Sequence, residues 1–356
     1  MKKGIILVPF MTGKGGTESV IHNLFQSING NDQLQITVHS IGGSENYEWT
    51  NGVPISITHI SNKRKIRNIY YALFLFFKIR HIIKKEKPDF IISTNPIMWY
   101  LSKKIVNSQK LRIPIIAWYH YSLKQKPLKK VFFNADGYLA ISSGIKKQLE
   151  SNGVDSSKIF LIFNPVASNY QPIPRPSTGT DFIYLGRVDY DGQKNLQELI
   201  HACYKLKGNW HLNIYGDSSK AKPIKELIHK LNLENHITWK GFVNDPWNNI
   251  KSASALVLTS KYEGLPMVLC EAISHGIFCI SSDIDTGPID IITEKNGYLY
   301  KSGNVKQLHE LLQKTISHSD DFPVQNDIIE TSKKFGLNNY GNIFIKAVLS
   351  IVNKYN

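Results

Sequence analysis

The chain is poor in cysteine, in acidic residues and in long apolar runs. Its three cysteines, Cys203, Cys270 and Cys279, sit inside apolar stretches with no Cys-x-x-Cys spacing. That argues against a disulfide framework or a thiolate zinc site and fits a reducing compartment. The most apolar window, 69–83, carries Lys78, Arg80 and His81 and is shorter than the roughly 20 apolar residues of a spanning helix, so no transmembrane segment is expected. At the N-terminus the run Ile5-Ile6-Leu7-Val8 meets Pro9 and Gly13 before a signal-peptide core could form. It reads as a first buried strand.

The shortage of acid is uneven. Lys+Arg number 43 against 28 Asp+Glu, a net charge of +15 over 356 residues. Residues 1–165 hold 23 basic and 9 acidic side chains, whereas 166–356 hold 20 and 19. The first half therefore faces something anionic, nucleic acid and acidic lipid being the usual candidates. No zinc spacing, RNP-like aromatic motif or helix-turn-helix signature accompanies the charge, so a nucleic-acid partner is not expected. Basic residues instead bracket an apolar segment: Lys63-Arg64-Lys65 and Arg67 precede the run 69–77, and Lys78, Arg80, Lys84, Lys85 and Lys87 follow it. An anionic membrane surface is the expected partner and the inner face of the cell membrane the expected location, with a cytoplasmic, peripheral chain. The competing reading buries the apolar part of 69–83 on a sheet.

Short β-branched runs alternate with helical patterns: strands are expected at 4–8, 35–38, 90–93 and 113–117, with a helix over 17–26. The rhythm restarts after Asn164-Pro165, with strands at 182–185, 211–215, 237–239, 255–258 and 278–280. This is βαβ punctuation and implies parallel sheets. Between the halves, 171–180 is rich in Pro, Ser, Thr and Gly and reads as a linker. The expected architecture is α/β, with two Rossmann-like domains (1–165 and 166–335), a cleft between them, and a last helix over 336–356 packing back on the first domain. Ligands of such sheets bind beyond the carboxyl ends of the strands.

The strongest motif follows the strand at 255–258. It reads Ser260-Lys261-Tyr262-Glu263-Gly264-Leu265-Pro266-Met267-Val268-Leu269-Cys270-Glu271-Ala272. Two carboxylates stand eight apart around a turn that opens a helix, and a helix N-terminus presents unpaired N–H groups to an anion. The amides of Leu265, Met267 and Val268 are candidate anion donors, with Pro266 in the first helical turn. Glu271 falls a turn into the helix and Glu263 precedes it. Alternatively, both are solvated helix acids. Gly186-Arg187-Val188 and Gly192-Gln193-Lys194 place two cations after another strand. Gly13-Lys14-Gly15-Gly16-Thr17-Glu18 joins the first strand to the first helix and lets backbone approach a phosphate, or is a plain tight turn. His120 stands at a strand end in Trp118-Tyr119-His120-Tyr121.

The segment 262–272 resembles the signature of the family 4 glycosyltransferases, and the remaining motifs follow in that family's order. The resemblance implies the GT-B fold, retention of anomeric configuration and a metal-independent reaction. It implies that Arg187 and Lys194 clamp the donor diphosphate, that Glu263 and His120 contact the transferred sugar, and that Glu271 takes the ribose. Gly15 and Gly16 correspond to the family's Gly-Gly loop and Gly264 to the motif's turn. Gly216 and Phe242 line the nucleotide, although Ser218 replaces a glycine the family has. Within the family the chain is similar to galactosyltransferases acting on lipopolysaccharide, through 139–145, the two loops at 186–194 and 282–292. The implied substrates are a nucleotide-sugar donor, with UDP-galactose first, and a glycan or glycolipid acceptor. Other UDP- or GDP-sugars and a non-catalytic nucleotide-sugar-binding subunit are the alternatives.

Asp283-Ile284-Asp285 has the Asp-x-Asp form by which another glycosyltransferase fold holds a metal, and no metal or other cofactor is assigned to it. If protein cations neutralise the diphosphate instead, EDTA leaves initial transfer rates unchanged. Activity lost to EDTA and restored by Mn²⁺ or Mg²⁺ contradicts that expectation.

Overall fold

The structure is a computed structural model describing residues 1–13, 15–167, 171–217, 219, 221–318 and 322–355. Lys14 and Ser218 lie outside the described residues. The chain divides into a first unit, Met1–Val166 with Phe335–Asn356, and a second, Ala167–Lys334. Each is a Rossmann-like α/β domain, as the alternation of runs implies.

In the first unit the elements run β1 (Lys2–Val8), α1 (Gly16–Ser27), β2 (Leu34–Gly42), β3 (Ile55–His59), α2 (Arg64–Leu73), α3 (Leu75–Glu86), β4 (Phe90–Ser93), α4 (Pro96–Ser108), β5 (Ile115–Ala117), β6 (Gly137–Ala140), α5 (Ser143–Ser151) and β7 (Ile159–Leu161). All seven strands are parallel, in the order β3-β2-β1-β4-β5-β6-β7. A strand buried on both faces needs no polar alternation. Accordingly Ile5, Ile6, Leu7 and Val8 are all fully buried, as are Phe90, Ile91 and Ile92.

The second unit contains β8 (Thr180–Leu185), α6 (Leu196–Cys203), β9 (Trp210–Tyr215), α7 (Lys222–Lys230), β10 (Ile237–Gly241), α8 (Pro246–Asn249), β11 (Ala255–Leu258), α9 (Met267–Ser274), β12 (Phe278–Asp283), α10 (Pro288–Ile291), β13 (Gly297–Lys301), α11 (Val305–Ser317) and α12 (Gln325–Ser332). Its strands are also parallel, ordered β10-β9-β8-β11-β12-β13. Both sheets reverse direction of winding once, between β1 and β4 and between β8 and β11. Such a switch point splays the following loops apart and leaves a crevice beyond the strand ends. The chain then closes with α13 (Leu337–Tyr355), which packs on α1 of the first unit. There a Cβ on Gly341 would lie 2.2 Å from the Ser27 carbonyl oxygen, so only glycine allows that approach.

Three expectations are corrected. The strand read at 113–117 begins at Ile115, because Pro114 has no N–H and offers the ladder only its carbonyl, which accepts from Ile91. Pro266 is the N-cap of α9 and not a first-turn residue, so the Leu265 amide precedes the helix. The apolar window 69–83 is neither wholly buried nor wholly exposed. It breaks at Phe74 into α2, which has no buried residue, and α3, which buries Leu75, Ile79, Ile82 and Ile83. No described helix is long and apolar enough to cross a membrane.

Candidate active site

In the second unit the loops leaving β8 and β11, neighbours at the switch point, are held together by side chains. Lys194 donates to Glu263 Oε1 at 2.7 Å, and the two side chains are only 14% and 12% exposed. Ser260 Oγ donates to the same oxygen at 2.7 Å. Arg187 remains exposed and donates to Gln193 Oε1 at 2.7 Å. The amide of Gln193 donates to the Tyr262 carbonyl at 3.0 Å and lies 3.4 Å from Glu263 Oε2. Its backbone carbonyl accepts from the Lys261 amide at 2.8 Å. Gln193 therefore stands as a neutral spacer between Arg187 and Glu263, a role its place beside Lys194 in the motif did not reveal.

Lys194 is positioned from behind, since Thr259 Oγ1 donates to its carbonyl at 2.9 Å. Asn195, next in line, adopts a left-handed φ of 49° and starts α6, with its side chain bonded to buried Glu198. Thr286 donates to the Glu263 carbonyl, and Ser282 donates to the Ser260 carbonyl at 2.6 Å. The end of β12 and the loop after it thus brace the loop after β11. Asp283 and Asp285 are exposed, and no cluster of three metal-ligating side chains occurs among the described residues.

From Glu263 the chain turns through Gly264 and buried Leu265 into α9. Met267 and Val268 open the helix, so their amides have no carbonyl a turn earlier to bond. A turn on, Glu271 accepts from the Trp247 indole N–H at 3.0 Å. Burial holds its carboxyl above the usual range, opposed by that indole bond. Gly216, just after β9, is buried, and a Cβ there would lie 2.2 Å from the Gly186 carbonyl oxygen. The two loops touch backbone to backbone. Phe242, after β10, is largely exposed.

Gly15, Gly16 and His120 belong to the other unit. Glu18, buried in α1, reaches back over the loop after β1: its Oε1 accepts from the amides of Thr12 (3.0 Å) and Gly13 (2.9 Å) and from Thr12 Oγ1 (3.1 Å). A Cβ on Gly15 would come within 2.6 Å of Glu18 Oε2, so a larger residue there would press on that carboxylate. Gly16 is the first residue of α1. His120 follows β5, two strands away in the same sheet, with its ring 4.7 Å from that of Trp118. The loop beyond it is tied down by buried Gln148, which accepts from the Leu123 amide at 2.7 Å. His120 Nε2 is buried and meets no hydrogen-bond partner among the described residues. Burial lowers the imidazole pKa to about 3. His120 is therefore a neutral ring at any physiological pH.

Residues 14–169 match the family model described as Glycosyltransferase Family 4, and residues 168–335 match that of Glycosyl transferases group 1. The chain is 32% identical to the lipopolysaccharide 1,6-galactosyltransferase of Escherichia coli K12, with 97% of each chain covered. It is 30% identical to that of Salmonella typhimurium, covering 97% of this chain and 98% of the relative. Among solved structures, the lipopolysaccharide outer core galactosyltransferase WaaB superposes with a TM-score of 0.86 at 30% identity, covering 98% of this chain and 99% of that one. Anabaena HepE in complex with UDP shares the fold, with a TM-score of 0.80 at 15% identity, covering 98% and 100%.

The buried imidazole generates a stability prediction. Its folded pKa lies below the unfolded value of about 6.5, so the unfolded chain binds the proton first as pH falls. The stability it confers is complete above about pH 6.5 and is lost progressively toward pH 3, at up to about 1.4 kcal/mol per pH unit. Urea titrations of the first unit's unfolding transition at pH 6.5 and 4.5 should show a smaller acid loss in His120→Gln than in the wild type. Equal losses would show that the ring is protonated in the folded state.

Proposed function

The chain belongs to the family 4 glycosyltransferases and is a hexosyltransferase, and on that premise we propose that it transfers galactose from UDP-galactose, with retention of configuration, to a lipid-linked glycan of lipopolysaccharide type. The observation carrying this reading is the gathering of Lys194, Arg187 and Glu263 at the β8–β11 switch point, one turn from the start of α9. The galactose donor and the acceptor class rest on the relatives' activity.

In the proposed reaction the bond between the sugar C1 and the diphosphate oxygen breaks while the acceptor oxygen bonds C1 on the same face. The acceptor's proton passes to the departing phosphate oxygen. Arg187, Lys194 and the amides of Met267 and Val268 stabilise the charge growing on the leaving diphosphate. An ammonium carries three donors, so Lys194 can hold Glu263 and still meet a phosphate oxygen. Glu263, fixed by Lys194 and Ser260, orients the sugar. A covalent alternative would need a carboxylate nucleophile close beneath the sugar. Glu263 is already engaged through Oε1, which favours its orienting role. Glu271 accepts from the ribose hydroxyls, and no metal takes part.

A panel of UDP- and GDP-sugars with product analysis tests the donor and the activity together. UDP-galactose should support transfer, and Arg187→Ala and Lys194→Ala should each lower turnover by on the order of 10². Preference for another sugar overturns the galactose assignment. Binding without turnover favours the subunit reading, and near-wild-type rates in both variants remove the two cations from the mechanism.

The first unit is proposed to rest on the inner face of the cell membrane. In α2, Ile66, Ile69 and Leu73 are about half exposed at helical spacing, continued by Phe74 and Phe77. Lys63, Arg64 and Lys65 are exposed beside them. A cation near an anionic leaflet contributes about 1 kcal/mol, and the exposed apolar side chains add insertion area. The protein should sediment with vesicles containing anionic lipid and not with neutral ones, and the double change Ile69→Asp and Leu73→Asp should release it. Equal partitioning to both vesicle types, or no effect of the changes, would sink this placement while leaving the transferase reading intact.

A further inference from the structure

Trp247 lies outside every motif that resembles the family, yet its indole reaches the one carboxylate of α9. It sits in α8, between β10 and β11, and is 9% exposed. Its N–H donates to Glu271 Oε2 at 3.0 Å. Its ring stacks on that of His275 with centroids 4.8 Å apart and 27° between planes. The His275 Nδ1 is in turn 2.7 Å from the Gln171 carbonyl oxygen. The indole is thus clamped from the α9 side and aimed at one carboxylate oxygen.

We propose that Trp247 is a positioning residue for nucleotide recognition: its N–H fixes the Glu271 carboxylate so that this group reads the two ribose hydroxyls of the nucleoside diphosphate. This rests on the assignment of Glu271 to the ribose made above. An indole N–H can only donate, so the oxygen it holds can only accept, and the bond favours the ionised carboxylate. A carboxylate held in this way has the remaining lone pairs of both oxygens for further donors. A vicinal pair of hydroxyls supplies two donors at the spacing of two carboxylate oxygens. The geometry also separates orientation from packing. A phenyl ring at 247 could keep the stack on His275 while lacking the N–H.

The test compares dissociation constants of UDP and 2′,3′-dideoxy-UDP by calorimetry for the wild type, Trp247→Phe, Glu271→Ala and the double variant. Trp247→Phe should weaken UDP by about tenfold or more, the scale of losing a hydrogen bond to a charged group. It should leave dideoxy-UDP within about twofold. In the Glu271→Ala background the Trp247 change should cost nothing further. Equal weakening of both ligands would make Trp247 merely structural and overturn the proposal. So would an unchanged UDP affinity in Trp247→Phe when Glu271→Ala weakens UDP. If Glu271→Ala itself leaves UDP unaffected, the ribose assignment falls and the role of Trp247 with it. Should Trp247→Phe fail to fold, replacing Trp247 by benzothienylalanine, an isostere with sulfur in place of N–H, gives the same comparison.

Discussion

The ion pair between Lys194 and Glu263 is the constraint on which the second domain's site depends. Two charges that are nearly nine-tenths covered are costly to remove from water, and they persist only with close approach and further hydrogen bonds. Both conditions are met: the pair is 2.7 Å apart and Ser260 shares the accepting oxygen. Because Lys194 leaves β8 and Glu263 leaves β11, the pair fastens the two loops that a switch point would otherwise let diverge. Gln193 extends the clasp to Arg187 through neutral groups. A carboxylate in its place would neutralise the guanidinium and repel Glu263. The amide keeps Arg187 positioned and its charge available.

The same strand order serves the two domains differently. In the second, Lys194 is paired with Glu263 on the loop that runs into α9. In the first, the loop after β1 carries no such clasp among its described residues and is shaped by Glu18, whose carboxylate collects two backbone amides and a hydroxyl. His120, also in the first domain, contributes no charge at all, because burial holds its imidazole neutral. The excess of basic residues in the first half is spread over its surface, around α2 and α3 in particular, where it accompanies exposed apolar side chains.

Two covered carboxylates of the second domain are held by directional bonds. Glu271 keeps company with an indole N–H against the pull of burial, and Glu198 is satisfied by Asn195 and by the Gly303 amide. In each case the partner comes from a distant or irregular segment. That is how a parallel sheet with short loops accommodates charge close to its core without leaving a buried acid unpaired.

The residue pattern by itself determined a great deal. Alternating apolar runs specified parallel α/β architecture in both halves, since strands buried on two faces must be apolar throughout. The spacing of Glu263 and Glu271 about a proline placed one carboxylate before a helix and one inside it. Four short strands, at 55–59, 137–140, 159–161 and 297–301, were not legible, because three to five residues with glycine or polar neighbours carry too little periodicity. Only the tertiary structure decided that Lys194 pairs with Glu263, sixty-nine residues on, that Gln193 insulates Arg187, and that Trp247 grips Glu271. These contacts join loops from different strands, and no local propensity encodes which loops a switch point brings together. The division of the apolar run at Phe74 was settled the same way: which of its faces finds a sheet to cover it depends on where α3 packs, and composition is silent on that.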